Sequence, residues 1–252
     1  VALLYRIYQL VFFLPICLIL TIITGLETSI GCFLGNGHFW GYWPGKIWSY
    51  LIIRLALLPV KVTGKENLDK NQSYVFVANH QGAFDIFLIY GFLGRNFKWM
   101  MKKGILKIPF VGPACKASHQ IIVDKSGPKK IKETYSMAEK TLQNGMSVAV
   151  FPEGARTFTG HMGIFRRGAF AMACDLQLPV VPITINGSFN VMPRMRDWKF
   201  LNYHPLSMTI HSPILPKEKT PENIKELMAE SYKSVMSGLV PEYQGFIENP
   251  DQ

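Results

Sequence analysis

Cations are missing from the start of this chain. Between Arg6 and Lys46 there is no lysine or arginine, and Glu27 is the only charged residue there. A segment so poor in charge cannot be a solvated linker or a disordered tail, both of which need polar composition. Charge is scarce overall, at 17% of residues against 48% hydrophobic, with a mean hydropathy of +0.14, so the chain is apolar for a soluble globule of its length. The four cysteines, Cys17, Cys32, Cys115 and Cys174, form no C-x-x-C pair and have no histidine at zinc-finger spacing. That excludes a zinc finger and a C-x-x-C redox motif, and leaves no disulfide framework. No G-x-S-x-G elbow occurs and no cysteine stands in a nucleophile motif, so a covalent acyl-enzyme has no visible carrier. RNP-type aromatics, internal repeats and low-complexity tracts are absent too. Nucleic acid is therefore set aside as a partner, although a net charge of +10 calls for anionic company.

What fills the uncharged stretch is grease. "IYQLVFFLPICLILTIITGL", residues 7 to 26, is long enough as a helix to match a hydrocarbon core of about 30 Å, although Pro15 interrupts it. A second apolar segment ends at "HFWGYW", whose Trp40, Tyr42 and Trp43 suit a headgroup belt. One spanning helix and two short helices dipping into one leaflet both fit this pattern. A cleaved signal peptide fits it less well, because no A-x-A site follows the run. The helix expected over residues 46 to 59 should stop at Pro59. Residues 1 to 58 are thus expected to form a membrane-anchoring helical segment, and residues 59 to 252 a catalytic-sized domain.

In that second part strands and helices alternate, predicting an α/β fold with a layered mixed sheet flanked by helices. Strands are expected at Val60–Thr63, Tyr74–Ala78, Lys98–Met101, Gln120–Val123, Ser147–Phe151, Val180–Ile185 and Ser207–Ile210. Helices are expected at Ile86–Leu93, Pro128–Gln143, Gly168–Leu176 and Pro221–Leu239, the second of them stopped by Asn144 and Gly145.

Chemistry concentrates where strands give way to turns. In "VFVANHQGAFDIFLIYGF" His80 and Asp85 are five residues apart. On a continuous helix that spacing would place them roughly 140° apart around the axis, so they need a turn between strand and helix to meet. Gly82 is expected to ease this turn by tolerating positive φ. A carboxylate bonded to one ring N–H fixes the imidazole tautomer and leaves the other nitrogen to accept a proton, as a general base requires. Asp85 is also a good helix cap, and a hydrogen-bonded core histidine is common, so this motif alone leaves catalysis at even odds. "VAVFPEGARTFTG" repeats the strand-to-turn design with Glu153, Gly154 and Arg156. The guanidinium there suits bidentate contact with phosphate, and the glycine allows close approach. Lys102 and Lys103 in "MMKKGILKIPFVG" sit at another strand end, before a proline-braced turn, where they would extend an anion site.

These segments together resemble the glycerolipid acyltransferases, most nearly the bacterial 1-acyl-sn-glycerol-3-phosphate acyltransferases. "NHQGAFD" is similar to the family's N-H-x-x-x-x-D motif and "FPEGART" to F-P-E-G-T-R. "KKGILKIPFVG" and "LPVVPITING" are similar to its intervening lysine block and its late proline motif. The resemblance covers about residues 60 to 215, with the motifs in order. It implies that His80 is the base and Asp85 its orienting partner. Lys102, Lys103, Glu153, Gly154 and Arg156 would bind the acceptor's phosphate. The activity implied is acyl transfer from a thioester donor, acyl-CoA or acyl carrier protein, to the sn-2 hydroxyl of a lysophosphatidic acid, with no cofactor and no metal. A same-family enzyme with another acceptor, or a non-catalytic lipid-binding protein, is the alternative. The place implied is the inner membrane, with the site facing the cytoplasm. Three positions depart from the family pattern: Ala155 for threonine, Gly82 for serine and Lys125 for arginine, the last keeping charge but losing the fork.

Overall fold

A computed structural model describes residues 2–124, 127–143, 146–194 and 200–245. The strands are β1 (Val60–Thr63), β2 (Val75–Ala78), β3 (Phe97–Lys102), β4 (Ile121–Val123), β5 (Ser147–Val150), β6 (Val180–Asn186) and β7 (Leu206–Ile210). They form one sheet in the order β1-β7-β6-β2-β5-β3-β4, parallel throughout except where β6 meets β7. Each expected strand is present, its ends within one residue of the expectation. The central strands β2 and β5 are buried along their full length, which is why they read as unbroken apolar runs. β7 alternates buried and half-buried residues, as a strand with one drier face does.

Among the helices, α1 (Ala2–Tyr8), a π-helical turn at Gln9–Phe13 and α2 (Leu14–Leu34) run on as one 33-residue rod. At 1.5 Å per residue the rod is about 50 Å long. The expected interruption at Pro15 does not occur. Proline lacks an N–H and crowds the preceding turn, and the wider π turn just before it absorbs the misfit without ending the helix. After α3 (Gly37–Trp40) comes α4 (Trp43–Leu55), which stops short of Pro59.

The remaining helices are α5 (Phe84–Phe92), α6 (Val111–Ala117), α7 (Pro128–Gln143), α8 (Gly168–Leu176), α9 (Ser188–Val191) and α10 (Pro221–Ser237). After Lys102 the chain makes a 3-10 turn at Lys103–Lys107, then the expected turn at Pro109, and then enters α6. The Asn144–Gly145 stop of α7, and Lys125, lie outside the described residues. α10 ends at Ser237, before Leu239, and its C-cap Gly238 lies against Thr184, where an added Cβ would come within 2.5 Å of the hydroxyl oxygen.

Two apolar cores cover the two faces of the sheet. The first holds Leu88 and Ile89 of α5 and takes in Phe13, Ile52, Ile53 and Leu58 from the N-terminal helices. The second holds Phe170 of α8 and Leu227 of α10. β2 is thus followed by a helix on one face and its neighbour β5 by a helix on the other. Connections that leave adjacent parallel strands in opposite directions open a crevice at their C-terminal ends, where α/β sheets bind ligands. Both of the motif-bearing turns begin in that crevice.

Candidate active site

The last residues of β2 are locked before the turn begins. Asn79 continues the ladder with its side chain: Nδ2 donates to the Ile185 carbonyl at 2.8 Å, and Oδ1 accepts from the Ile185 N–H at 2.7 Å. His80 is then held at both backbone groups. Its N–H donates to Oε1 of Glu153 at 2.7 Å, and its carbonyl accepts from the Thr157 N–H at 3.0 Å. The His80 ring stacks on Phe151, with centroids 3.9 Å apart and planes 8° from parallel. Backbone and ring are fixed separately, so the imidazole has little freedom to lose when a substrate arrives.

Asp85 enters in the first turn of α5 and reaches back across the loop. Its Oδ2 lies 2.8 Å from Nδ1 of His80 and accepts from the Gly82 N–H at 2.8 Å. The aspartate is fully buried, while the His80 side chain keeps 13% exposure. An ionised carboxylate is an acceptor only, so Nδ1 carries the hydrogen and the lone pair of Nε2 is available. Gly82 serves this turn for a reason other than the expected one. Its φ is not positive; an added Cβ would come within 2.5 Å of both the backbone oxygen and the hydroxyl of Ser188. Close packing, not a left-handed backbone, demands glycine there.

Glu153 and Gly154 belong to the same construction. Oε2 of Glu153 accepts from the Gly163 N–H at 2.8 Å, so with the His80 bond its two oxygens tie three segments together. Gly154 does adopt a left-handed backbone, φ +79°, which folds the chain back after β5. Arg156 follows on this turn, half-buried. Burial, then the neighbouring Arg194, lower its pKa from the usual value, and Asp85 acts in the opposite sense. Lys102 ends β3, next to β5 in the sheet, and Lys103 follows it, paired with Asp124 at 3.0 Å on an exposed flank. His80, Asp85, Glu153 and Gly154 therefore form one bonded unit with Arg156 beside it, and the two lysines stand on the same rim one strand away.

Two stacked rings away from the imidazole, beyond Phe151 and Trp99, lies a separate apolar cavity of about 80 Å³. Trp99, which stacks on Phe151, stands in its wall with Thr21 and Gly25 of α2, Trp48 of α4 and Val111 of α6.

Over residues 59–186 the chain matches the Acyltransferase family. It belongs to that family. The stretch covers β1 to β6 and with them every residue of the His80 and Glu153 turns. Among curated relatives of this chain is the chloroplastic 1-acyl-sn-glycerol-3-phosphate acyltransferase of Arabidopsis thaliana, 33% identical over 67% of this chain and 47% of its own length. The Saccharomyces cerevisiae 1-acyl-sn-glycerol-3-phosphate acyltransferase is 30% identical over 84% of this chain and 70% of its own. The chain spans about half the length of the plant relatives it matches. The crystal structure of a 1-acyl-sn-glycerophosphate acyltransferase from Thermotoga maritima has the same fold, with a TM-score of 0.75 over 93% of this chain and 95% of that one, at 24% identity.

Arg194, Phe151 and Asn79 are functional candidates whose roles the motifs did not reveal. Phe151 and Asn79 sit beside quoted motif residues, but their partners lie on other strands. Arg194 carries no signal in the sequence at all.

Proposed function

We propose that this protein transfers a fatty acyl group from a thioester donor, acyl-CoA or acyl carrier protein, to the sn-2 hydroxyl of a 1-acyl-sn-glycerol 3-phosphate, forming phosphatidic acid. The observation that carries this reading is the His80–Asp85 contact of 2.8 Å, buried at one end and open at the other, in the crevice that also holds Arg156. Nε2 of His80 takes the proton of the attacking hydroxyl as that oxygen adds to the thioester carbonyl, and the Asp85 carboxylate stabilises the imidazolium that forms. Collapse of the tetrahedral adduct expels the thiolate, which recovers the proton from His80. No step requires an enzyme nucleophile. Arg156 binds the acceptor's phosphate, with Lys102 and Lys103 adding positive potential along the rim. Glu153 and Gly154 act on this site by shaping the turn, since the glutamate's oxygens are engaged with backbone N–H groups. The apolar cavity beside Trp99 takes an acyl chain.

Membrane attachment fits the same scheme. One face of the N-terminal rod packs on the rest of the anchor and, at Gln9 and Gly25, on the domain. Tyr5 and Tyr8 donate to the Ala56 and Leu55 carbonyls, Gln9 bonds both backbone groups of Leu201, and Gly25 and Gly31 lie against Phe110 and Trp40. The other face exposes Leu4, Val11, Leu18, Ile23, Ile30 and Phe33. On this reading the rod, packed along one face, lies in one leaflet with its apolar side down. Lysolipid then reaches the crevice without passing through water. On this reading residues 1 to 58 are the anchor and the rest is the catalytic domain, working at the cytoplasmic face where thioester donors are made.

The deciding experiment is product analysis after incubating purified protein with lysophosphatidic acid, glycerol 3-phosphate or a lyso-aminolipid, each with acyl-CoA or acyl carrier protein thioester. Phosphatidic acid carrying the new chain at sn-2 supports the proposal; acylation of only another acceptor replaces it.

A further inference from the structure

Residues 193 and 194 return from β6 and α9 to the mouth of the crevice. Pro193 forms an isolated antiparallel bridge with Gly82, inside the His80–Asp85 turn. Arg194 then donates from Nη1 to the Arg156 carbonyl at 2.8 Å, and its guanidinium lies 4.1 Å above the Phe158 ring. A second guanidinium is thus fixed to the backbone of the Arg156 turn by a hydrogen bond and to its Phe158 ring by stacking, near enough for Arg194 to act electrostatically on Arg156. It is half-buried and one residue away from contact with the catalytic turn. Among the described residues neither Arg156 nor Arg194 forms a salt bridge with a carboxylate.

Two like charges held together in a partly desolvated crevice repel each other, and the arrangement gains by taking in an anion with more than one negative charge. Burial lowers the pKa of Arg156, and Arg194 lowers it further, as a neighbouring like charge does. Both guanidinia are planar forks suited to the oxygens of a phosphate monoester.

We propose that Arg194 is a substrate-binding residue that closes with Arg156 on a phosphate monoester, so that a dianionic headgroup, and not a neutral or singly charged one, is held next to His80. The inference rests on the acyltransferase reading and sharpens it. Two substrates bring such phosphate chemistry: the acceptor's headgroup and the phosphates of a CoA donor. The acceptor is favoured because its phosphate is only a few bonds from the hydroxyl that must meet His80, whereas CoA phosphates lie beyond the whole pantetheine arm from the thioester. The Pro193–Gly82 bridge puts Arg194 close to the catalytic turn, where only the nearer phosphate reaches.

The test measures KM for lysophosphatidic acid, KM for acyl-CoA and competitive inhibition by 1-acylglycerol of the same chain length, in wild type, Arg194→Gln and Arg194→Lys. In Arg194→Gln the KM for lysophosphatidic acid should rise about tenfold or more, with kcat changed far less and KM for acyl-CoA and inhibition by 1-acylglycerol unchanged. Arg194→Lys should fall between, since it keeps charge but not the fork. An unchanged acceptor KM overturns the proposal. So does a rise in the acyl-CoA KM alone, which assigns Arg194 to the donor. Equal weakening toward lysophosphatidic acid and its uncharged analogue also overturns it, because damage to the crevice's shape affects both. Wild-type protein that does not acylate lysophosphatidic acid contradicts the parent reading instead.

Discussion

At the scale of single residues, the proposed chemistry depends on which nitrogen of His80 is left to accept a proton. Asp85 decides this by bonding Nδ1 at 2.8 Å from a fully buried position. An amide in its place could accept from Nδ1–H through oxygen, or turn its NH2 inward and force the other tautomer. Asp85→Asn should therefore lower kcat by about 10²–10⁴-fold while changing acceptor KM little, measured by steady-state kinetics. Retention of full kcat would remove the orienting role. The pair was legible in the sequence because one short segment carries both partners and the strand-to-helix change between them. Arg194 was not legible: its neighbours Gly82, Arg156 and Phe158 meet it only through the return of the chain after β6. For Gly82 the residue type was readable but not its cause, since Ser188 crowds it from a distant element.

Among elements, β3 carries an unusual load in Lys98. It is buried, with 5% exposure, and among the described residues it forms no salt bridge. Desolvation lowers its pKa from the usual 10.5. The folded protein thus binds fewer protons than the unfolded chain between the lowered value and 10.5, so stability from this site rises with pH across that window. Below it the full cost of a buried ammonium is present. Lys98→Met should stabilise the protein by about 1–3 kcal/mol near neutral pH, with the gain shrinking as pH climbs toward the unfolded lysine's titration. Denaturant unfolding at two pH values measures it; a destabilised variant at both would show that the ammonium has a favourable partner. Element boundaries were mostly readable, since the buried strands are uninterrupted apolar runs and α7, α8 and α10 are framed by proline or glycine signals. α6 escaped notice because Gly112 and Pro113 in its first turns read as turn chemistry, and the contacts with α2 that hold it helical are not local.

Across the whole molecule, basic charge and exposed apolar surface act on the same partner. A net charge of +10 draws the chain toward anionic lipid, and the unpaired face of the N-terminal rod supplies attraction that salt does not screen. Flotation with vesicles should show binding that weakens but persists at 1 M salt, where the Debye length is only about 3 Å. Complete release at high salt would mean that charge alone holds the protein. The sequence left two arrangements of this segment open because a 33-residue apolar helix satisfies the length needed to cross a bilayer in either case. The contacts of Tyr5 and Tyr8 with the end of α4 and of Gln9 with Leu201 show that one side of the rod is covered.

The proposed acyl transfer turns on the imidazole at the end of β2. Its removal is the most direct measurement. Purified His80→Ala, shown by circular dichroism to be folded, should form phosphatidic acid from lysophosphatidic acid and acyl donor at least about 10³-fold more slowly than wild type. Formation at a rate close to that of wild type would contradict the assignment of His80 as the base.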